Sequence, residues 1–226
     1  MVGQKDRPGL SAEMSLINRG YKLVGGVDEV GRGAWAGPLT IGIAVVDSTC
    51  TQVPDKLRDS KQLSEKARES IFPTVSNWCV TWSIGHATND ECDQLGMTAA
   101  LGVAANRAYQ KLPAELRPSA LILDGTINFM DTTINFMDRV SQPHIYTEVL
   151  PHADVTCASV AAASILAKVT RDRMMLTLSS LYPAYDLASC KGYHSRAHVE
   201  ALAEHGLTKI HRKSWSYASN YTISGS

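Results

Sequence analysis

The sequence predicts an α/β fold, a mixed five-stranded sheet flanked by helices with a C-terminal helical extension. Three observations lead there. The first part of the chain holds three apolar, β-branched runs with short joins, which suggests an antiparallel meander. The middle then alternates helix-compatible and strand-compatible stretches, as a sheet covered by helices requires. Beyond Pro183 the chain closes on a further short helical stretch.

Residues 21–28 and 39–46 read as strands, joined through a glycine-rich corner from Gly31 to Gly37 that Pro38 closes. Residues 79–85 make the third strand. Residues 64–75 are helix-compatible, with Ser64 as N-cap and Glu65 in the first turn. Residues 98–112 are alanine-rich and helical up to Pro113. Residues 120–123 form a short buried strand that delivers Asp124 at its end, and residues 145–150 a fifth strand. The longest helix spans 156–181 and stops at Pro183; its small residues, Ala158, Ser159, Ala161, Ala162, Ala163, Ser164 and Ala167, let it lie close to its neighbours. Residues 195–204 form a smaller helix with Gly206 at its C-terminal side. No linker marks a second independent domain. Thr126-Ile-Asn-Phe-Met-Asp131 recurs at 133–138, a repeat too short for a solenoid.

Bulk properties narrow the class. The 226 residues suffice for one large domain, and 44% hydrophobic with 19% charged residues excludes disordered and fibrous chains. No apolar run approaches the ~20 residues of a membrane span. Lys5, Asp6 and Arg7 are followed by no apolar stretch, so no signal peptide is expected and a cytoplasmic location is. The five cysteines (Cys50, Cys79, Cys92, Cys157 and Cys190) form no close pair and read as reduced, buried thiols. Net charge is zero but uneven: residues 165–226 hold eight Lys/Arg against four acids, the rest fourteen against eighteen. A basic end beside an acidic remainder suits an enzyme that grips phosphates and holds cations, and equally a merely uneven surface.

The acids carry the chemistry. Asp28-Glu29 and Asp124 end strands, where α/β sheets open to ligands. Adjacent strand residues face opposite ways, so Asp28 and Glu29 are expected to share a site only where the strand ends or bulges. Asp154 lies just before the long helix. Gathered acids repel unless a cation neutralises them, and oxygen donors without Cys or His select Mg²⁺ or Mn²⁺. Singly, Asp124-Gly125 is also a turn pair, Asp154 also a helix cap, and Asp28-Glu29 also a solvated turn.

Gly26-Val-Asp28-Glu29-Val-Gly31-Arg32-Gly33, followed by Ala36-Gly-Pro-Leu39, closely resembles the signature of type 2 ribonucleases H (ribonuclease HII). The likeness continues through Asp59-Ser-Lys61-Gln-Leu-Ser64, Asp124-Gly125, Asp154, Ala161-Ala-Ala-Ser164-Ile-Leu-Ala-Lys168-Val-Thr-Arg171-Asp172, Tyr182-Pro183, Lys191-Gly192-Tyr193 and His211-Arg212. The resemblance implies a ribonuclease H-like fold, with residues 21–215 as the catalytic domain, 1–20 an N-terminal segment and 216–226 a tail. It also implies a two-metal site for Mg²⁺ or Mn²⁺ on Asp28, Glu29, Asp124 and Asp154. Asp172 is the rival fourth acid, expected instead to pair with Arg171, Arg173 or nearby backbone.

The resemblance makes Gly31, Arg32 and Gly33 the ribose reader. Glycines admit close backbone approach, and backbone groups can bond the 2′-hydroxyl that separates RNA from DNA. It puts Tyr193 on the sugar after the ribonucleotide, although His194-Ser195 follows where relatives commonly have Gly-Thr. Lys61 falls on a phosphate-contacting position. Lys168, Arg171 and the Lys209, Arg212 and Lys213 group are further candidate phosphate contacts. The implied activity is endonucleolytic cutting of RNA in RNA–DNA hybrids and beside ribonucleotides in duplex DNA, by a monomer without membrane contact. A ribonuclease HIII, another nuclease of this fold and a non-catalytic hybrid-binding module are the competing readings.

Overall fold

The computed structural model describes residues 7–130 and 145–222. Its centre is a five-stranded sheet in the order β3-β2-β1-β4-β5. Strands β1 (Val24–Val30), β2 (Leu39–Val46) and β3 (Thr81–Ala87) form the antiparallel meander. Strands β4 (Ala120–Asp124) and β5 (Tyr146–Leu150) continue the sheet in parallel on the other side of β1. The α/β architecture, the mixed sheet and the helical extension are as the sequence predicts.

Helices cover both faces. The long helix α6 (Ala158–Leu181) crosses β1 and β2, with α2 (Glu65–Trp78) beside it. Ala158, Ala161, Ala162, Ala163, Ile165 and Leu166 pack there with Ala44, Ile71 and Val75. The other face is covered by α4 (Met97–Lys111), through Ala100, Leu101, Ala104, Ala105 and Ala108 against Val27, Ile41, Ile43 and Leu121. Close approach of α6 depends on missing side chains. A Cβ on Gly26 would collide with the backbone of Ser159 and Val160, and one on Gly42 with the Ala163 carbonyl. The small-residue stripe thus lets helix backbone rest on strand backbone, which brings the residues flanking these glycines, Asp28 among them, up against α6.

Ser64 caps α2 by accepting from the Ala67 N–H, and the helix continues through Pro73 to Trp78. Elements without a strong periodic signal escape the sequence reading. These are α1 (Ser11–Asn18), α3 (Asn89–Leu95), the one-turn α5 (Ala153–Thr156) and α7 (Leu187–Cys190). Of these, α3 does carry a legible mark, a reciprocal capping box between Thr88 and Glu91.

The C-terminal extension comprises α7, α8 (Arg196–His205, capped by Ser195) and a 3-10 turn at Ser216–Asn220. It has its own apolar cluster, including Tyr185, Leu187, Leu202, Leu207 and Tyr217, packed on Met175 of α6 and on Trp35-Ala36. Tyr217 stacks on Trp35 at 4.0 Å and donates to its carbonyl, so residues 216–220 lie against the glycine-rich corner. All five cysteines are free thiols, four of them buried. Among the described residues no helix is long and apolar enough to cross a membrane. The second copy of the Thr-Ile-Asn-Phe-Met-Asp repeat, at 133–138, lies outside the described residues.

Candidate functional site

Strand β1 runs straight through its acids. Its ladder with β2 is regular to Glu29↔Ile41 and Val30↔Thr40, so the expected strand end or bulge at Asp28-Glu29 is absent. The opening arises on the other side. The parallel ladder with β4 stops at Val27↔Leu123, leaving a notch at the carboxyl ends of both strands. Asp28 and Asp124 are the next residue on each strand and flank that notch.

Asp28 is buried, its carboxylate accepting from the Glu29 N–H at 2.8 Å and facing Ser164 of α6. Burial first, then the charges of Glu29 and Asp124, push its pKa up to about 8. Burial likewise raises Glu29, with Arg32 opposing and Asp124 adding to the rise. Asp124 accepts from the Ala153 N–H at 2.7 Å and so fastens the start of α5. That turn carries Asp154, buried, with Lys61 Nζ 3.1 Å from its Oδ2. The three acids of the strands act on one another electrostatically, and Asp154 is tied in through Asp124 and Lys61.

The donor set fits a hard divalent cation: carboxylate oxygens only, partly buried, with cations beside Glu29 and Asp154. Among the described residues no three acid, His or Cys side chains are yet drawn into an ion cage. The partners explain why: Glu29 leans toward Arg32 at 3.5 Å and Asp154 toward Lys61. A fifth acid also belongs to this neighbourhood. Asp59 is buried, accepts from the Lys61 N–H at 3.0 Å and faces Asp154; burial first, then the Asp154 charge, raises its pKa. It sits in the quoted Asp-Ser-Lys-Gln stretch, where it reads only as a 3-10 N-cap.

Beside the acids lies the corner from Gly31 to Gly37. Gly31 has φ of +86°, a conformation costly for any residue with a Cβ, and its N–H donates to the Tyr193 hydroxyl at 3.0 Å. The Gly192 carbonyl accepts from Trp35 and Ala36, so the loop bearing Tyr193 is strapped to the corner. Arg32 and Gly33 are exposed, and their N–H groups have no hydrogen-bond partner among the described residues. Lys168 lies 5.9 Å from the centre of the Tyr193 ring and is bound to Asp172 at 2.8 Å.

Two expected phosphate contacts must be corrected. Arg171 is fully buried and donates to the carbonyls of Pro38, Lys191 and Ala36. Arg212, equally buried, donates to those of Gly31, Arg32 and Gly37. Both guanidiniums are turned onto backbone, Arg212 through its two terminal nitrogens, because a corner this tight turns its carbonyls inward and buried acceptors need donors. Asp172 pairs with Lys168 and Arg68 rather than Arg171 or Arg173, and Arg173 pairs with Glu69. Lys61 remains 73% exposed in its side chain, with its ammonium within reach of both Asp154 and solvent.

Sequence comparison bears on what these residues do together. Residues 25–218 match the profile of the ribonuclease HII family. Ribonuclease HII of Streptomyces avermitilis is 42% identical over 211 residues, 93% of this chain and 84% of that protein. Among solved structures, the ribonuclease H2 of Pyrococcus horikoshii OT3 is similar with a TM-score of 0.69 and 27% identity, covering 88% of this chain and 96% of that one. The Mn²⁺ complex of Bst ribonuclease HIII shares the fold at 22% identity and a TM-score of 0.61, over 88% of this chain and 69% of that one.

Proposed function

The chain belongs to the ribonuclease HII family and is a ribonuclease H hydrolase, and on that premise we propose an endonuclease for ribonucleotides within DNA duplexes. It hydrolyses the RNA strand of RNA–DNA hybrids and cuts on the 5′ side of a single embedded ribonucleotide, leaving 3′-hydroxyl and 5′-phosphate ends. The role that follows is removal of misincorporated ribonucleotides and RNA primers in replication and repair, in the cytoplasm, by a monomer. Reduced thiols are consistent with that location.

The observation that carries this reading is the 3.0 Å bond from Gly31 N–H to the Tyr193 hydroxyl, across 162 positions of sequence. It supports a reader for sugars built directly against the acids. Asp28, Glu29, Asp124 and Asp154 hold a pair of Mg²⁺ or Mn²⁺ ions. When bound, such a pair supplies Lewis-acid stabilisation to the attacking and leaving oxygens of an in-line displacement. The chain does the rest. Exposed N–H groups at Arg32 and Gly33 meet the 2′-hydroxyl, and the Tyr193 ring packs on the next sugar, where a deoxyribose fits best. Lys61, largely exposed beside Asp154, would meet a backbone phosphate, and Lys168 stands beside the Tyr193 ring. Retention of all four acids speaks against a merely hybrid-binding module.

A DNA duplex with one ribonucleotide, incubated with Mg²⁺ or Mn²⁺ and separately with chelator, tests the proposal. A metal-dependent nick 5′ of the ribonucleotide is expected; its absence overturns the substrate assignment.

A further inference from the structure

Beneath the Tyr193 loop lies a pair of histidines that the catalytic reading leaves unused. His198 (in α8) and His211 are fully buried, with their Nε2 atoms 3.1 Å apart. His198 Nδ1 lies 2.9 Å from the Tyr193 carbonyl. His211 Nδ1 lies 3.0 Å from the Thr208 N–H and 3.0 Å from its hydroxyl.

These partners fix the protons. A carbonyl only accepts, so His198 Nδ1 carries a hydrogen and its Nε2 is an acceptor. A backbone N–H only donates, so His211 Nδ1 is the acceptor and its Nε2–H donates to His198. One directed chain results: Thr208 N–H to His211, His211 to His198, His198 to the Tyr193 carbonyl. Cys190 Sγ, at 3.8 Å from His198 Nδ1, is the weaker competitor. Burial supports the neutral forms, holding His211 down to about 4 and His198 below its ordinary range. The rings of Tyr185 and Trp35 wall the pair, at 4.9 Å from His211 and 6.1 Å from His198.

We infer that His198 and His211 are positioning residues for Tyr193, a buried relay that fixes how the tyrosine meets the sugar 3′ of the ribonucleotide. This rests on the role proposed above for Tyr193. Its hydroxyl is held by Gly31, its N–H by the Cys190 carbonyl at 2.9 Å and its carbonyl by His198, and of these ties the first alone reaches the corner beside the acids. The His198 tie is more than a helix cap, because Ser195 already caps α8 through the His198 N–H. Losing it leaves Tyr193 on the Cys190 and Gly31 bonds, looser on its loop, without disturbing Asp28, Asp124 or Asp154.

Two experiments decide it. Imidazole ¹⁵N shifts of the full chain should show His198 protonated at Nδ1 and His211 at Nε2; the reverse tautomers overturn the relay, and no variant is needed. Cutting is then compared on a single embedded ribonucleotide and on a continuous RNA–DNA hybrid. His198→Leu should lower the ratio of the two rates about tenfold, the worth of one lost buried hydrogen bond. His198→Asn, whose amide nitrogen can replace Nδ1, should restore most of it, and in a Tyr193→Ala background His198→Leu should change the ratio no further. An equal fall on both substrates, or a full further loss beside Tyr193→Ala, overturns the inference and leaves only a packing role. Absence of nicking by the unsubstituted protein overturns the substrate reading, and this inference with it. Nicking at an unchanged ratio in His198→Leu overturns the inference alone.

Discussion

The acid notch and the glycine-rich corner share a boundary at Glu29-Val30-Gly31, yet they are held together by opposite means. In the notch, buried and half-buried carboxylates face one another with Lys61 and Arg32 as their cationic partners among the described residues, so the native arrangement stores repulsion. In the corner, two buried arginines satisfy carbonyl after carbonyl and two histidines fix the Tyr193 loop, so hydrogen bonds are nearly all made. The contrast teaches a division of labour. A cation site gains affinity from unsatisfied acids, whereas a reader of sugar shape gains selectivity from rigidity.

The sharpest break of that comparison is Asp124→Asn. Its amide oxygen retains the bond from Ala153 N–H, so the fold is kept, while one charge leaves the proposed metal site. Cutting should fall by roughly a thousandfold or more, several kcal/mol of transition-state stabilisation. Thermal unfolding should show a Tm unchanged or higher, because repulsion is relieved. A thousandfold loss accompanied by a large drop in Tm would mean the acids are structural.

Gly31→Val attacks the other side. The +86° φ and collision of a new Cβ with the Arg171 guanidinium and Pro38 carbonyl strain the corner. About 1–3 kcal/mol of strain corresponds to roughly a 10- to 100-fold loss in kcat/KM at a single ribonucleotide. Calorimetric titration with Mn²⁺ should show metal affinity retained. Equal loss of both would mean that reading and cutting are one unit.

Acid should act more gently, and its effect on the corner runs through His211. His211 has a folded pKa of about 4 against an ordinary 6.5, so between these values the unfolded chain binds more protons. Its contribution to stability is therefore present above about pH 6.5 and is lost as pH falls toward 4, amounting to at most roughly 3 kcal/mol. Asp28, raised to about 8, acts in the opposite sense over the same range, so the test is a difference. In urea unfolding from pH 7 to 4.5, His211→Gln should lose less stability, or gain more, than the unsubstituted chain as pH falls. An unchanged slope would remove the histidines from the balance.

The limits of sequence reading follow the same boundary. Strand β2 and the positions of Asp124 and Asp154 at element ends are legible because strand periodicity and chain punctuation are local properties. Arg171 and Arg212 were expected on phosphates, since an arginine is ordinarily solvated; burial beneath an inward-turned corner reverses that. The expected bulge at Asp28-Glu29 likewise arose from treating a strand in isolation. In the sheet, β1 stays paired with β2 while its ladder with β4 stops, and the notch comes from the neighbour. Asp172, placed beside Arg171 and Arg173 by sequence distance, finds Lys168 one turn away and Arg68 on α2.

By itself, then, the sequence determined the α/β order of elements, the small residues that let α6 lie close to its neighbours, and the identity of the acids, because these depend on residue type and local spacing. Tertiary structure alone decided which acids face a common notch, that two arginines serve backbone rather than phosphate, and that His198 and His211 line up beneath Tyr193. Those outcomes depend on contacts between residues far apart in the chain, where burial and the demand that every buried polar group find a partner select one arrangement.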